Sequence, residues 1–242
     1  MRVNDVSISN GGLWIKQAFA IFRAQPLQWI ALMLAWLFVS LGLVALVPLI
    51  GGPISKILQP AFFAGFMLAC RDQVAGKRIT PAYLFSALRT NARALIAIGG
   101  LVLLLEATLA LSMSALGFRP EFGTNPDLEA ASNALRASLE GKAILLIVST
   151  VLASLIMGVF WFVPPLLAFH KMPATHALRW SFFAFLSNLM PMIFFGVLMM
   201  ALMLLCGLSA GLGFIVVLPL FMISSYTSYN HVFTDNPVVP ES

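Results

Sequence analysis

The sequence predicts an all-α, polytopic membrane bundle of about six transmembrane helices, and three observations lead there. The chain is 60% hydrophobic and only 10% charged, its mean hydropathy is +0.96, and its apolar residues fall in long unbroken runs. A soluble domain carries roughly 25% charged residues, because its surface must stay in water. Here too few charges remain to cover a water-facing surface, so lipid is the expected solvent. In hydrocarbon every backbone donor and acceptor must be paired within the chain, which leaves helical bundles and closed barrels. The apolar runs lack the alternation of a barrel strand, so the bundle is the reading. The whole chain, 1–242, is read as one integral membrane domain.

A spanning helix needs about 20 mainly apolar residues. Six stretches qualify: Gln28–Val47, Ile54–Val74, Ala94–Leu116, Lys142–His170, Pro191–Leu208 and Leu212–Tyr229. The first apolar run begins late for a signal peptide and has no small-residue cleavage site at its end, so it is expected to remain as an anchor. With the N-terminus inside, ten lysines and arginines fall on inner segments and four on outer ones. That bias places both termini in the cytoplasm. The net charge of +5 is then a matter of topology and of attraction to anionic lipid. Charges spread over three inner segments suit no nucleic acid. Cys70 and Cys206 lie near opposite faces in this topology, so no disulfide is expected.

Three segments resemble one another. Residues 18–25 precede the first span, 84–91 the third and 181–188 the fifth. Each has Phe second and an amide eighth: Gln25, Asn91 or Asn188. Each is followed by a hairpin whose returning helix contains proline, namely Pro60, Pro164 with Pro165, or Pro219. The pattern suggests parallel repeat units over residues 13–74, 81–170 and 174–231, related about the membrane normal.

The helix leading the first unit is amphipathic. Trp14, Ile15, Ala18, Phe19, Ile21 and Phe22 share one side, with Lys16, Gln17, Ala20, Arg23 and Ala24 on the other and Gln25 as the exception. Such a helix is expected to lie in the interfacial plane, its rings in the acyl boundary and its cations among headgroups. Pro26 ends it. The second unit repeats the pattern with Leu84, Leu88 and Ala92 opposite Ser86, Arg89 and Arg93, while residues 175–188 are apolar nearly all round. Lys16, Arg23, Arg89 and Arg93 are therefore the candidate lipid-headgroup contacts. A docked protein or a second copy of the chain is the alternative partner.

The segments Leu13-Trp14-Ile15-Lys16-Gln17-Ala18-Phe19 and Phe22-Arg23-Ala24-Gln25-Pro26, with Pro48 through Pro60, resemble a group of uncharacterised proteobacterial multi-pass inner-membrane proteins. More remotely, the chain is similar to the membrane domain found beside some glycerophosphodiester phosphodiesterases. The resemblance covers most of the chain and implies fold and location alone. No soluble phosphodiesterase domain with metal-binding carboxylates accompanies it, so no activity is carried over.

Candidate chemistry is sparse. Glu106 is the one acid deep in a predicted span, about 18 Å from its inner end at 1.5 Å per residue. Such a group marks a coupled-transport site or serves as an interhelical hydrogen-bonder. Thr108, Ser112, Ser149 and Ser154 are its candidate neighbours. A small-solute or proton-coupled transporter using Glu106 is the alternative function. His170, His176 and His231 carry no metal-ligand spacing, and no Gly-x-Ser-x-Gly elbow or phosphate loop occurs. No catalytic residue, metal or cofactor is assigned, and the chain is read as non-enzymatic. The small residues Ala61, Gly65 and Ala69 read as a packing seam. Asn125-Pro126-Asp127 reads as a helix start in the outer loop.

Overall fold

The computed structural model describes residues 2–116, 143–208 and 211–234. They form two compact units, one of Met1–Gly100 with Val159–Ser242 and one of Leu101–Gly158. Among the described residues every regular element is helical: α1 Asn10–Ala24, α2 Pro26–Leu46, α3 Gly51–Val74, a 3-10 turn Pro81–Phe85, α4 Leu88–Ala115, α5 Ala143–Phe160, α6 Val163–Phe169, α7 Ala174–Ser187, α8 Leu189–Leu208 and α9 Phe214–Phe233. Among the described residues five stretches are long and apolar enough to cross a membrane: Pro26–Leu46, Gly51–Val74, Leu88–Ala115, Ile147–Phe169 and Leu189–Leu208. The chain is thus a helical membrane bundle.

The sixth expected span differs. Its helix, α9, is 20 residues long, but its second half carries Ser224, Ser225, Thr227, Ser228, Asn230 and His231. Every residue from Met222 to Asn230 is buried, because α9 runs against α1, α2, α3 and α8. A helix enclosed by protein need not be apolar, provided its polar groups find partners. By contrast α2 buries only Trp29, Leu32 and Met33 and leaves Leu34, Phe38 and Leu41 exposed, as a lipid-facing helix does. The fourth expected span is broken by a turn at Trp161-Phe162, so that α5 ends before α6 begins with Pro164 and Pro165.

Helix α1 also differs from expectation. Trp14 and Ala18 are fully buried, Ile21 and Phe22 nearly so, and they face α8 and α9 rather than lipid. Only Leu13 and Phe19 among its large apolar side chains stay exposed. At Gly11 an added Cβ would fall 2.6 Å from the Pro191 carbonyl oxygen and 2.8 Å from the Phe195 amide nitrogen, so α1 meets α8 backbone to backbone. The second unit has no continuous leading helix: its counterpart is the 3-10 turn followed by the first turn of α4.

Ala61, Gly65 and Ala69 are all buried inside the chain. A Cβ at Gly65 would collide with the backbone oxygens of Tyr83 and Leu84, so the seam receives the 3-10 turn. Cys70 and Cys206 are both buried and unbridged. The outer-loop helix start at Asn125 lies outside the described residues.

Candidate functional site

The polar half of α9 is tied to distant segments. The Trp14 indole N–H donates to Nδ1 of His231 (3.0 Å), and the Thr227 hydroxyl donates to the Trp14 carbonyl (3.0 Å). The Trp161 indole donates to Ser228 Oγ at 2.9 Å, and His170 shares a 2.8 Å hydrogen bond with the Tyr229 hydroxyl. Because the Trp14 indole can only donate, Nδ1 of His231 is the acceptor in that pair. With Nδ1 accepting, its proton must sit on Nε2, 3.5 Å from the Gln17 amide nitrogen. The Gln17 oxygen is meanwhile buried without a partner. Turning that amide over presents the oxygen to Nε2–H and satisfies both groups, since amide orientation is assigned from the hydrogen-bond network. Among the described residues no three His, Cys, Asp or Glu side chains gather into a group that could hold a metal ion.

At the same end of this unit the connecting segments converge. Asp72 accepts from Arg71 Nε (3.1 Å), Lys77 Nζ (3.1 Å) and the Tyr83 hydroxyl (2.9 Å). Burial and the adjacent Asp72 carboxylate raise the Tyr83 pKa above the ordinary tyrosine value. Gln73 accepts from the Trp29 indole (2.7 Å) and donates to the Ile21 carbonyl (2.6 Å), fixing the ends of α1, α2 and α3 together. The Arg71 guanidinium lies 5.7 Å above the Phe169 ring.

The three amides singled out in the sequence share a role. Each interrupts a helical path with non-helical backbone: Gln25 at φ −143° and ψ 60°, Asn91 at φ −145° and ψ 43°, Asn188 at φ −115° and ψ 32°. Gln25 donates to the Lys77 carbonyl (2.9 Å) and accepts from the Ile79 amide (3.1 Å). Asn188 donates to the Asn4 carbonyl (3.0 Å) and accepts from the Val6 amide (2.9 Å). Both grip a passing backbone from two sides. Among the described residues Asn91 reaches only the Met172 carbonyl, at 3.4 Å.

The predicted cations fall on this end. Lys16, Arg23, Arg89 and Arg93 are all exposed, and none forms a salt bridge with a described residue. Beside Arg93 an open cleft of about 510 Å³ separates the start of α4 from the α6–α7 connection, with Lys171 on its far wall. Lys171 did not stand out in the sequence among ten inner-side cations; only its position across from Asn91 singles it out. Glu106 lies in the other unit, half-buried on α4. The hydroxyls of Thr108 and Ser112 donate to carbonyls one turn back on α4, and Ser154 does the same on α5 (each 2.8 Å). Those three groups thus spend their protons on their own helices.

The chain is 32% identical over 221 residues to a Burkholderia thailandensis protein named probable inner membrane protein, a match covering 88% of this chain and 79% of the relative. No family model and no solved structure matches it.

Proposed function

Since the chain belongs to the family of that Burkholderia inner membrane protein, we propose that it is a non-enzymatic multi-pass protein that organises anionic lipid at the cytoplasmic face of the inner membrane. Both termini lie on that face in this reading. The observation that carries it is the set of exposed cations, Lys16, Arg23, Arg89 and Arg93, standing without salt bridges to described residues where the connecting segments converge. The ring-bearing side of α1 is occupied by α8 and α9, so lipid is engaged by charge at this end and by the apolar sides of the spans elsewhere. A basic residue held near an anionic surface contributes about 1 kcal/mol of attraction, so four together suffice to select the lipids around the bundle.

The test uses the full chain in nanodiscs of equal phosphatidylglycerol and phosphatidylcholine, with the lipids that remain bound counted after mild delipidation. The wild type should retain phosphatidylglycerol preferentially. Combining Lys16→Gln, Arg23→Gln, Arg89→Gln and Arg93→Gln should remove the preference, and Glu106→Gln should leave it intact. An undiminished preference in the fourfold variant would overturn the reading and turn attention to a docked protein.

A further inference from the structure

We propose that the cleft between the first turns of α4 and the α6–α7 connection is a specific site for the phosphate group of an anionic phospholipid headgroup; this rests on the lipid-organising reading above. Four features of its walls point to a phosphate. Arg93 and Lys171 line it from opposite elements, both exposed, and no acidic residue lines it. Arginine offers a planar fork of donors that matches phosphate oxygens, and lysine adds a point charge.

The second feature is the start of α7, whose Pro173 and Ala174 form part of the same wall. This helix has no side-chain cap and no acid in its first turn. Its first intrahelical bonds are donated by His176 and Ala177 to the Pro173 carbonyl, which leaves the N–H groups of Ala174 and Thr175 without intrahelical acceptors. Unsatisfied donors at the positive end of a helix dipole favour an anion, and here they stand beside two cations.

Third, Asn91 is an open clamp. Its counterparts Gln25 and Asn188 each hold a backbone segment by both amide groups. Asn91 uses only its N–H, in a 3.4 Å contact with Met172, and its oxygen accepts no hydrogen bond from a described residue. The place taken by a peptide segment at the other two junctions is here the cleft, and the spare oxygen can accept from a headgroup hydroxyl. Fourth, the cleft opens where α4 becomes apolar, and Ile96, two residues past Ala94, is 44% exposed. An exposed apolar side chain on the same helix thus stands two residues from the cleft lining.

Binding is measured on the detergent-solubilised full chain by native mass spectrometry, titrating dioleoylphosphatidylglycerol, with inorganic phosphate as a parallel probe followed by 31P NMR. One tightly held phosphatidylglycerol is expected. Arg93→Gln with Lys171→Gln should weaken it about thirtyfold, the loss expected for two cations near the lipid phosphate. Arg93→Lys should restore part of that loss, and Arg78→Gln, at an exposed cation that does not line the cleft, should leave this lipid bound. Both cleft residues are exposed, and unchanged thermal unfolding of the variants checks that the fold is intact. If inorganic phosphate binds with the same dependence on Arg93 and Lys171 and the lipid does not, the phosphate site stands and its ligand is the free anion. If the cleft variant binds phosphatidylglycerol as the wild type does, or neither probe binds, the site is refuted. That failure is distinct from failure of the broader reading, which is decided by the fourfold variant's bulk lipid preference.

Discussion

Replacing Trp14 with alanine should destabilise the protein by about 3–5 kcal/mol, the range for truncating a large aromatic in a packed interior. Trp14 is fully buried, stacks edge-on against Phe195 with ring centroids 6.0 Å apart, and donates its indole N–H to His231. Alanine would leave a cavity between α1, α8 and α9 and strand a buried acceptor as well. Phe19, on the same helix, is 47% exposed, and Phe19→Ala should change stability by less than about 1 kcal/mol. Thermal unfolding in a mild detergent separates the two. Equal and small effects would mean that α1 is a lipid-lying anchor, as its sequence alone suggests, and not a strut of the core.

The second large effect is expected at Gly99. A Cβ there would collide with the backbone carbonyl of Ile57 on α3, and a backbone cannot swing aside as a side-chain tip can. Gly99→Ala must therefore force α3 and α4 apart, losing the close approach that holds helices together where no hydrophobic effect does so. The expected loss is about 1–3 kcal/mol or somewhat more. Gly100, one residue on, has nothing within 4 Å of the corresponding position. Gly100→Ala should be neutral or stabilising by about 0.5–1 kcal/mol, because alanine is the better helix former. Denaturation of both variants in detergent micelles gives the comparison. Similar losses at 99 and 100 would show that the α3–α4 contact is not the close one described.

What the sequence made legible, and what it did not, follows from the same physics. Lipid-facing helices such as α2 and α8 announce themselves because hydrocarbon admits few other residues. The run Ser224 to His231 follows an apolar half-helix and continues its length, and its polarity is that of a helix enclosed by protein. Its enclosure depends on Trp14 and Trp161, 217 and 67 residues away in the bonded pairs. Amphipathic spacing in α1 revealed an apolar side, but periodicity does not tell whether lipid or protein covers it. The amides Gln25, Asn91 and Asn188 were visible as recurring letters, and their shared position at a helix break gives them a common physical reason. The exposed cations were legible as a set, since charged side chains resist burial. The cleft was not, because it arises from the break at Asn91 and brings together α4 and a segment about 80 residues later, joined by one contact between residues 81 apart.

In the proposed reading the basic end of the bundle faces the cytoplasm, where it meets anionic lipid. Single cysteines in place of Arg23 and Lys171 decide this, since the native Cys70 and Cys206 are buried and should not react. With a membrane-impermeant maleimide, both introduced thiols should stay unlabelled in intact spheroplasts and become labelled after permeabilisation. Labelling of either in intact spheroplasts would contradict the orientation, and with it the proposed lipid face.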